Sequence, residues 1–388
     1  MYDDTIDRFG GIGLYVTTLG GALSRRGHHV EYLVGSSQQQ WIDDSRVRAL
    51  ARNVPVRFNG NVLSMPAWSR ARTLRGALVE GRFDVLHVQV PYSPLMAGRL
   101  LRACDARCAV VGTYHVASSR VAARVGAKLL RAPCRSTDAR FDRMLAVSQT
   151  ASDFASECSG LSVDEVIPNL LDAGRVRSQA NLRCDLPSAE VVFVGRLVPR
   201  KGAEHLLRAL HALAGFSDAQ RPRAAILGDG PLRVELQQLA ERLGLTDRVG
   251  FHGAVSDPEK AAMLRQAHIA CFPSLFGESF GVVVLEALAA GADMVLAGDN
   301  PGYRELLQDP AVLVQPRDSR MFARRLATLL GDADLRRSLG ARQRELLRSC
   351  SHDEVTERVE RAYVTALESR RGCAYPRNRR VEAPLVLP

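Results

Sequence analysis

The sequence feature that most constrains the fold is the stretch from Phe272 to Gly291, in which two glutamates are separated by seven residues. The apolar run at residues 269–272 predicts a buried strand, and a loop rich in Pro and Gly follows it. We predict that an apolar helix then starts near Ser279, with Glu278 at its mouth and Glu286 about two turns inside it. An acidic side chain inside so apolar a helix requires a partner.

A strand that feeds a helix in this way is a common place to bind a diphosphate, because the free N–H groups of the first helical turn point out of the loop. Two carboxylates beside such a site suit the hydroxyls of a sugar and of a ribose. A structural interpretation is also open. Glu278 would then offset the helix dipole, and Glu286 would be a solvated side chain.

Length and composition limit the classes of protein that this chain can belong to. With 388 residues and 46% hydrophobic content, it can bury a large core in two domains. It has no apolar run of about 18 residues and its first residues do not resemble a secretory signal, so we expect a cytoplasmic protein. The net charge of +10 indicates an anionic partner such as a nucleotide or a phospholipid surface. Nucleic acid is disfavoured because no motif or aromatic platform for it is present.

The sequence offers little to bind a metal ion. Its eight cysteines are scattered, with no C-x-x-C pair and no histidine at zinc spacing, so we expect reduced and mostly buried thiols. The one D-x-D motif, Asp332-Ala-Asp334, lies between two predicted helices and is better explained as a helix cap than as a metal site.

Alternation of strand-like and helical segments predicts an α/β protein made of two Rossmann-like domains, each with a doubly wound parallel sheet. We place the first domain at residues 1–170 and the second at 171–352. A helix at residues 353–369 is expected to cross back onto the first domain, and residues 370–388 are expected to form a flexible tail.

The first domain opens with a glycine loop at Gly10 and Gly11, which leads into a helix ended by Gly27 and then into a strand. In an ordinary α/β domain, an apolar run of five or six residues would precede such a loop. No such run comes before Tyr2, so we expect the first strand of this domain to be missing.

Two segments of the first domain carry clustered cations. Arg70, Arg72 and Arg75 open a predicted helix just after Trp68. A second helical face repeats a basic residue every three or four positions, at Arg120, Arg124, Lys128, Arg131 and Arg135. Such segments suit an anionic membrane surface, and a solvated cationic face is the alternative.

The segment from Gly195 to Gly202, Gly-Arg-Leu-Val-Pro-Arg-Lys-Gly, follows the first strand of the second domain. Its cations therefore lie at the carboxyl end of the sheet, where folds of this class bind ligands. Lys201 is one of only three lysines among the 52 basic residues. A lysine at this position suits the need for a compact charge on a phosphate, and chance is the alternative explanation. Gly228 and Gly230 make a tight turn after the next strand.

In this order the motifs resemble those of the family 4 retaining glycosyltransferases, which have the GT-B fold, from Gly10 to about Ser369. The matching motifs are the Gly-Gly loop, His-Val-Gln at 87–89, Thr-Tyr-His at 113–115, Ala-Val-Ser at 146–148, Ile-Pro-Asn at 167–169, the Gly-Arg to Arg-Lys-Gly segment at 195–202, Gly-Asp-Gly-Pro at 228–231 and the two glutamates. Within the family the chain is most similar to the actinobacterial phosphatidyl-myo-inositol mannosyltransferases, through Gly-Glu-Ser-Phe-Gly at 277–281 and the basic helix after Trp68.

The resemblance implies two domains that face a cleft and gives each site residue a role. Arg196 and Lys201 would hold the donor diphosphate. Further donor-binding positions are Gly10, Gly11, Gly195, Gly228, Gly230, Ser279, Phe280 and Gly281. Glu278 would contact the sugar hydroxyls and Glu286 the ribose.

Two further positions concern the reacting centre and the acceptor. The resemblance places His115 on the donor sugar near the reacting centre, and a structural core histidine is the alternative. Tyr92 stands where the mannosyltransferase subgroup carries an asparagine that contacts the acceptor.

The reaction implied by the resemblance moves a hexosyl group, with mannose from GDP-mannose favoured, to a lipid-linked or small-molecule acceptor with retained configuration. No cofactor or metal is expected. The enzyme would be cytoplasmic, with peripheral attachment to the inner face of the plasma membrane if the acceptor is a lipid. Two alternatives remain open: a sugar-nucleotide-processing enzyme of similar fold, such as an epimerase or phosphorylase, and a non-catalytic nucleotide-sugar-binding protein.

Overall fold

The computed structural model describes residues 1–7, 10–58, 61–89, 91, 93, 95–117, 137–160, 162–215 and 222–372. The chain divides into two compact units. The first unit comprises Met1–Leu170 and His352–Pro388, and the second comprises Leu171–Ser351. Within the described ranges, no helix combines the length and the apolar character needed to span a bilayer.

Strands and helices alternate through most of the chain. The strands are β1 (Tyr2–Thr5), β2 (Glu31–Ser36), β3 (Trp41–Ile42), β4 (Ser45–Ala49), β5 (Arg52–Phe58), β6 (Asn61–Trp68), β7 (Val85–Val88), β8 (Ala109–Tyr114), β9 (Arg143–Ala146), β10 (Glu165–Val166), β11 (Val191–Val194), β12 (Ala224–Leu227), β13 (Val249–Gly253), β14 (Ile269–Phe272), β15 (Met294–Gly298) and β16 (Leu313–Val314). The helices are α1 (Gly11–Arg25), α2 (Ala71–Gly81), α3 (Met96–Ala103), α4 (Gln149–Ser159), α5 (Ala173–Ala180), α6 (Ala203–Ala212), α7 (Arg233–Arg242), α8 (Asp257–Gln266), α9 (Val282–Ala290), α10 (Pro301–Leu307), α11 (Ser319–Gly331), α12 (Ala333–Arg344), α13 (Leu346–Ser349) and α14 (His352–Gly372).

The second unit is built on one parallel sheet with the strand order β13-β12-β11-β14-β15-β16. Its central strands are buried, which explains their continuous apolar sequences. The chain reverses direction across the sheet between β11 and β14. At such a switch point the loops after the strands diverge and leave room for a ligand.

The first unit contains a parallel group β1-β2-β4 and a second parallel group β7-β8-β9-β10. A backbone hydrogen bond from Gln89 N–H to Met1 O (3.0 Å) joins β1 to the end of β7. Two antiparallel additions were not predicted: the short strand β3 beside β4, and the hairpin β5–β6. Pro55 and Pro66 lie within this hairpin, and prolines weaken a strand prediction.

The prediction that the first strand is missing was wrong, because β1 is a short strand that pairs in parallel with β2. Its sequence looks polar, but Tyr2 lies in the core and Asp3 is buried. Asp3 accepts hydrogen bonds from the Ser93 hydroxyl and from Ala97 N–H (3.0 Å), which satisfy the buried carboxyl group. Burial raises the pKa of Asp3 to about 6.

The last described helix, α14, packs into the core of the first unit through Val355, Val359, Ala362 and Ala366. It runs to Gly372, beyond the predicted end at residue 369. Arg370 explains the extension, because its Nε donates to the Asp142 carboxylate at 2.8 Å. The tail expected from residue 370 therefore overlaps the helix, and residues 373–388 lie outside the described part of the chain.

Candidate active site

At the carboxyl edge of the second unit, the backbones of three loops pack against one another. A Cβ at Gly228 would lie 2.0 Å from the carbonyl oxygen of Gly195, and one at Gly230 would lie 2.5 Å from that of Leu197. Gly202 is as tightly placed, because a Cβ there would lie 2.0 Å from the carbonyl oxygen of Pro273. Its φ of 74° also favours glycine. The glycines singled out in the sequence therefore allow the loops after β11, β12 and β14 to pack closely.

Helix α9 begins at Val282, three residues later than the predicted start near Ser279. Gly281 causes the delay: its φ of 106° is left-handed, and the ring of Tyr303 occupies the space where a Cβ would lie (2.6 Å). Phe280 is buried just before this turn. Glu286 consequently lies in the second turn of the helix, and no side chain in the described ranges caps the first-turn N–H groups.

Glu278 lies in the loop before α9 and binds two cations. Its Oε1 is 2.8 Å from Arg200 Nη1 and 2.9 Å from Lys201 Nζ. Burial alone would raise the pKa of Glu278, but the charges of Lys201 and Arg200 outweigh it and hold the pKa below its usual value. The carboxylate therefore stays ionised, and Arg200, which we did not predict as a site residue, joins Lys201 in holding it.

Arg196 and Arg200 differ in their surroundings. The Arg196 side chain is exposed, two residues beyond the end of β11, where it is free to meet a ligand from solvent. Arg200 is largely buried, and its Nε has no hydrogen-bond partner within the part of the chain that the structure describes. A buried guanidinium N–H without a partner is costly, so this atom has bonding capacity left for a ligand or a water molecule.

The partner that Glu286 requires is Lys260 on helix α8, at 2.9 Å from Lys260 Nζ to Glu286 Oε1. Lys260 also binds Asp257 at 3.1 Å. Burial lowers the pKa of Lys260, but the two carboxylates more than compensate and raise it overall. Glu286 is therefore not a freely solvated side chain. Sequence analysis missed Lys260, although its rarity as one of three lysines was an available signal.

In the first unit, helix α1 begins at Gly11 with Gly10 as its N-cap. Both glycines are exposed, and a Cβ at either would meet no atom of the described residues within 4 Å. Packing against the described residues therefore does not require glycine here, in contrast to Gly228. Among the described residues no side chain caps α1, so its first-turn N–H groups are available to an anion.

His115 follows β8 at the carboxyl edge of the first unit. Its Nε2 lies 2.8 Å from Gln89 Oε1, and its ring meets the edge of Tyr15 on α1 at 4.8 Å between centroids. Burial lowers its pKa to about 3, so the imidazole is neutral at physiological pH and Nε2 carries the proton donated to Gln89. His115 thus lies beside the helix that the glycine loop opens.

The predicted acceptor and membrane residues are only partly described. Arg70, Arg72 and Arg75 are exposed around the start of α2, and Trp68, which ends β6, is 70% exposed. Tyr92 lies outside the described residues, as does the basic face from Arg120 to Arg135. Asp332 caps α12 by accepting a hydrogen bond from Leu335 N–H at 2.8 Å, which confirms the helix-cap interpretation.

Comparison with known proteins identifies the family. Residues 9–175 match the Glycosyltransferase Family 4 model, and residues 177–346 match the Glycosyl transferases group 1 model. The phosphatidyl-myo-inositol mannosyltransferase of Mycobacterium leprae (strain TN) is 31% identical over 93% of this chain and 94% of the relative. That of Mycolicibacterium smegmatis is 32% identical over 92% of this chain and 90% of the relative.

A solved structure supports the same fold. Anabaena HepE in complex with UDP-glucose is 18% identical and matches with a TM-score of 0.71, covering 94% of this chain and 98% of that chain. At this level of identity the match concerns the fold alone. With the sequence matches and the two α/β units, it leads to the conclusion that the chain is a glycosyltransferase of family 4 with the two-domain GT-B fold.

Proposed function

We propose that this glycosyltransferase transfers a mannosyl group from a nucleoside diphosphate mannose, with GDP-mannose favoured, and retains the configuration of the sugar. The observation that carries the proposal is the cation cluster of Arg196, Arg200 and Lys201 at the carboxyl edge, with the ionised Glu278 bound to it. The relatives named as mannosyltransferases support the choice of sugar.

Charge explains how such a cluster would promote the reaction. When the bond between sugar and phosphate breaks, about two negative charges develop on the departing diphosphate and the sugar becomes positively charged. Fixed cations and helix N–H groups stabilise the diphosphate without having to reorganise during the reaction. We assign this role to Arg196, Lys201 and the first turn of α9, and we propose that they suffice without a metal ion.

The carboxylates and the histidine would serve the sugar side. Glu278, held by two cations, is a fixed acceptor for sugar hydroxyls, and Glu286, held by Lys260, is one for the ribose. The neutral His115 would contact the donor sugar near the reacting centre. We propose that the acceptor attacks from the face that the diphosphate leaves, which retains the configuration.

We propose a lipid-linked acceptor at an anionic membrane surface, on the inner face of the plasma membrane. The exposed Trp68 and the exposed arginines Arg70, Arg72 and Arg75 support this choice, because an aromatic side chain and clustered cations suit the headgroup region of a bilayer. The lipid named in the relatives, phosphatidyl-myo-inositol, is anionic. A soluble acceptor is the outcome if no membrane binding is found.

A donor screen tests the proposal. Calorimetry with GDP-mannose, UDP-glucose and other nucleotide sugars identifies the donor, and turnover is then measured with candidate acceptors in EDTA. We expect GDP-mannose to bind most tightly and product with retained configuration to form in the chelator.

Conversion of the donor without an acceptor would indicate an epimerase or hydrolase. Binding without turnover would indicate a non-catalytic protein, and activity that returns only with added magnesium or manganese would refute the metal-free mechanism.

A further inference from the structure

Strand β1 of the first unit begins further along the sheet than the two strands between which it lies. It pairs with β2 from Val34 onward, and among the described residues no strand lies on this side of residues 31–33 of β2. On its other side, β1 meets the carboxyl end of β7 through Met1. Residues 85 and 86 of β7 pair with β8, and within the described ranges they have no strand on the side of β1. In the described part of the unit, the first halves of β2 and β7 therefore face each other without a strand between them.

A cavity of about 350 Å³ occupies this space. Residues 30–33 line it on the side of β2, residues 83–87 line it on the side of β7, and Met1 lies at the end where β1 begins. Leu19 of α1 lines it as well, and the exposed His28 lies at its solvent side. Neighbouring strands lie about 4.8 Å apart, so the two strands that flank β1 are about 9.6 Å apart. The cavity thus has the width of a single strand, and we call it the β1 groove.

Met1 already makes the hydrogen bonds of a residue in the middle of a parallel strand. Its carbonyl oxygen accepts from Gln89 N–H at 3.0 Å, and its nitrogen donates to the His87 carbonyl oxygen at 2.6 Å. These two bonds are the ones by which a residue pairs with Val88 in a parallel ladder. Burial lowers the pKa of this amino group to about 5, because the charged form is poorly solvated there. A peptide N–H at the same position would keep the bond to His87 and would carry no ionisable group.

We propose that the β1 groove receives an extended apolar segment of about three residues, joined to the nitrogen of Met1, that continues β1 between β2 and β7. Because Met1 pairs with Val88, the three residues before it lie beside residues 85–87. The segment runs parallel to both neighbours and supplies partners for the backbone groups along their free edges. The two parallel groups of strands in the first unit, β1-β2-β4 and β7-β8-β9-β10, then form one continuous sheet.

Burial on both faces of the sheet defines the composition of this segment. Tyr32 lies in the core cluster that includes Leu19 of α1, and Leu33 and Leu86 are buried on the opposite face, since side chains alternate along a strand. A parallel strand that is covered on both faces is apolar at every position. We therefore expect Val, Ile or Leu at each position, because a polar segment would place groups without hydrogen-bond partners in the groove.

Amino-terminal extensions of the full chain test the proposal. Val-Ile-Val is joined to Met1 in one variant, and each extension is preceded by the same initiator methionine. The controls are Ser-Gly-Ser, which is polar, and Val-Pro-Val, which is apolar but has a proline without an N–H for the ladder. We expect Val-Ile-Val to raise the midpoint of thermal unfolding by roughly 5–10 °C over the unextended chain, because three apolar side chains leave water. The two control extensions should leave the midpoint unchanged.

Hydrogen exchange followed by mass spectrometry shows where the segment binds. Peptides that contain residues 30–34 and 84–88 should exchange roughly tenfold more slowly with Val-Ile-Val than with Ser-Gly-Ser, because the free strand edges gain hydrogen-bond partners. Peptides from β12 in the second unit should exchange equally in both variants. Equal exchange of the β2 and β7 peptides, or an unfolding midpoint no higher than that of the unextended chain, would overturn the proposal. Equal stabilisation by Val-Pro-Val without slower exchange in β7 would also contradict it, because the groove would then hold an apolar segment that is not a strand.

Discussion

The two units bring different chemistry to the carboxyl edges of their sheets. The second unit places ionised groups there, with Lys201 and Arg200 on Glu278 and Lys260 on Glu286. In the first unit, the described groups around the end of β8 are neutral: the imidazole of His115, the amide of Gln89 and the backbone of the glycine loop. The ionised carboxylate of Asp7 follows β1, where the Ser37 hydroxyl and Gln38 N–H donate to it. The difference suits the proposed role of the second unit, which is to hold the charged diphosphate.

The largest effect is expected from removing a cation from the second unit. We expect Lys201→Ala to lower turnover by roughly 10²–10³, the size typical of losing one electrostatic contact to a developing anion. The measurement is kcat with saturating donor. The matched control is Arg208→Ala, which removes an exposed cation paired with Glu204 on α6 of the same unit. A Lys201→Ala variant with the turnover of the control would show that this cation does not act on the leaving group.

A second test asks whether Glu286 is held by Lys260. Lys260→Met leaves the Glu286 charge half-buried without its main partner, and we expect the free energy of unfolding to fall by roughly 1–3 kcal/mol. The double variant Lys260→Met/Glu286→Gln should lose less, because no unpaired charge remains. Urea unfolding of the wild type, of Lys260→Met, of Glu286→Gln and of the double variant gives the coupling energy between the two side chains. If the two single effects simply add, the ion pair is not what positions Glu286.

The residues in these two tests also show which parts of the site can be predicted from the sequence and which cannot. The glutamates, Lys201 and the glycines were found because each lies in a local motif, and the need for a partner of Glu286 followed from the apolar helix around it. Lys260 was not found because it lies 26 residues away on a neighbouring helix, and only the packing of α8 against α9 brings the two together. Strand β1 was missed for a similar reason, since the groups that satisfy Asp3 come from Ser93 and Ala97.

A third test concerns the neutral groups around His115 in the first unit. The pKa of His115 is about 3 in the folded chain, below the value of about 6.5 for an unfolded one. The unfolded state therefore binds the proton first, so this contribution to stability is complete above pH 6.5 and is lost as the pH falls towards 3. The slope is at most about 1.4 kcal/mol per pH unit. Burial also lowers the pKa of His87, which adds a slope of the same sign.

His115→Gln isolates the contribution of His115. Its free energy of unfolding should change less than that of the wild type between pH 7 and 5, while the slope from His87 remains. The control is His29→Gln, whose side chain is 78% exposed, and it should follow the wild type. The measurement is urea unfolding at each pH. Parallel curves for His115→Gln and the wild type would mean that His115 can take up a proton in the folded state, so that the groups around the end of β8 also carry charge.

The last test concerns the cations of the first unit, which lie on its outer surface around the start of α2. If Arg70, Arg72 and Arg75 bind an anionic bilayer, each contributes up to about 1 kcal/mol near the surface, and salt screens the attraction. We therefore expect the triple Arg→Gln variant to co-sediment less with anionic vesicles at low salt, and the wild type to lose binding at high salt. Neutral vesicles should bind neither protein.

A control variant that loses the same number of charges distinguishes binding through a specific face from an effect of the overall net charge of +10. Arg320, Arg337 and Arg342 are exposed arginines of the second unit, and changing all three to Gln removes the same charge from that unit. Only the first triple variant should lose vesicle binding if the helix face is the contact. Equal losses in both would show a non-specific effect of net charge. Equal binding to neutral and anionic vesicles, or none to either, would favour a soluble acceptor, and the cations around α2 would then be a solvated surface with no part in the reaction.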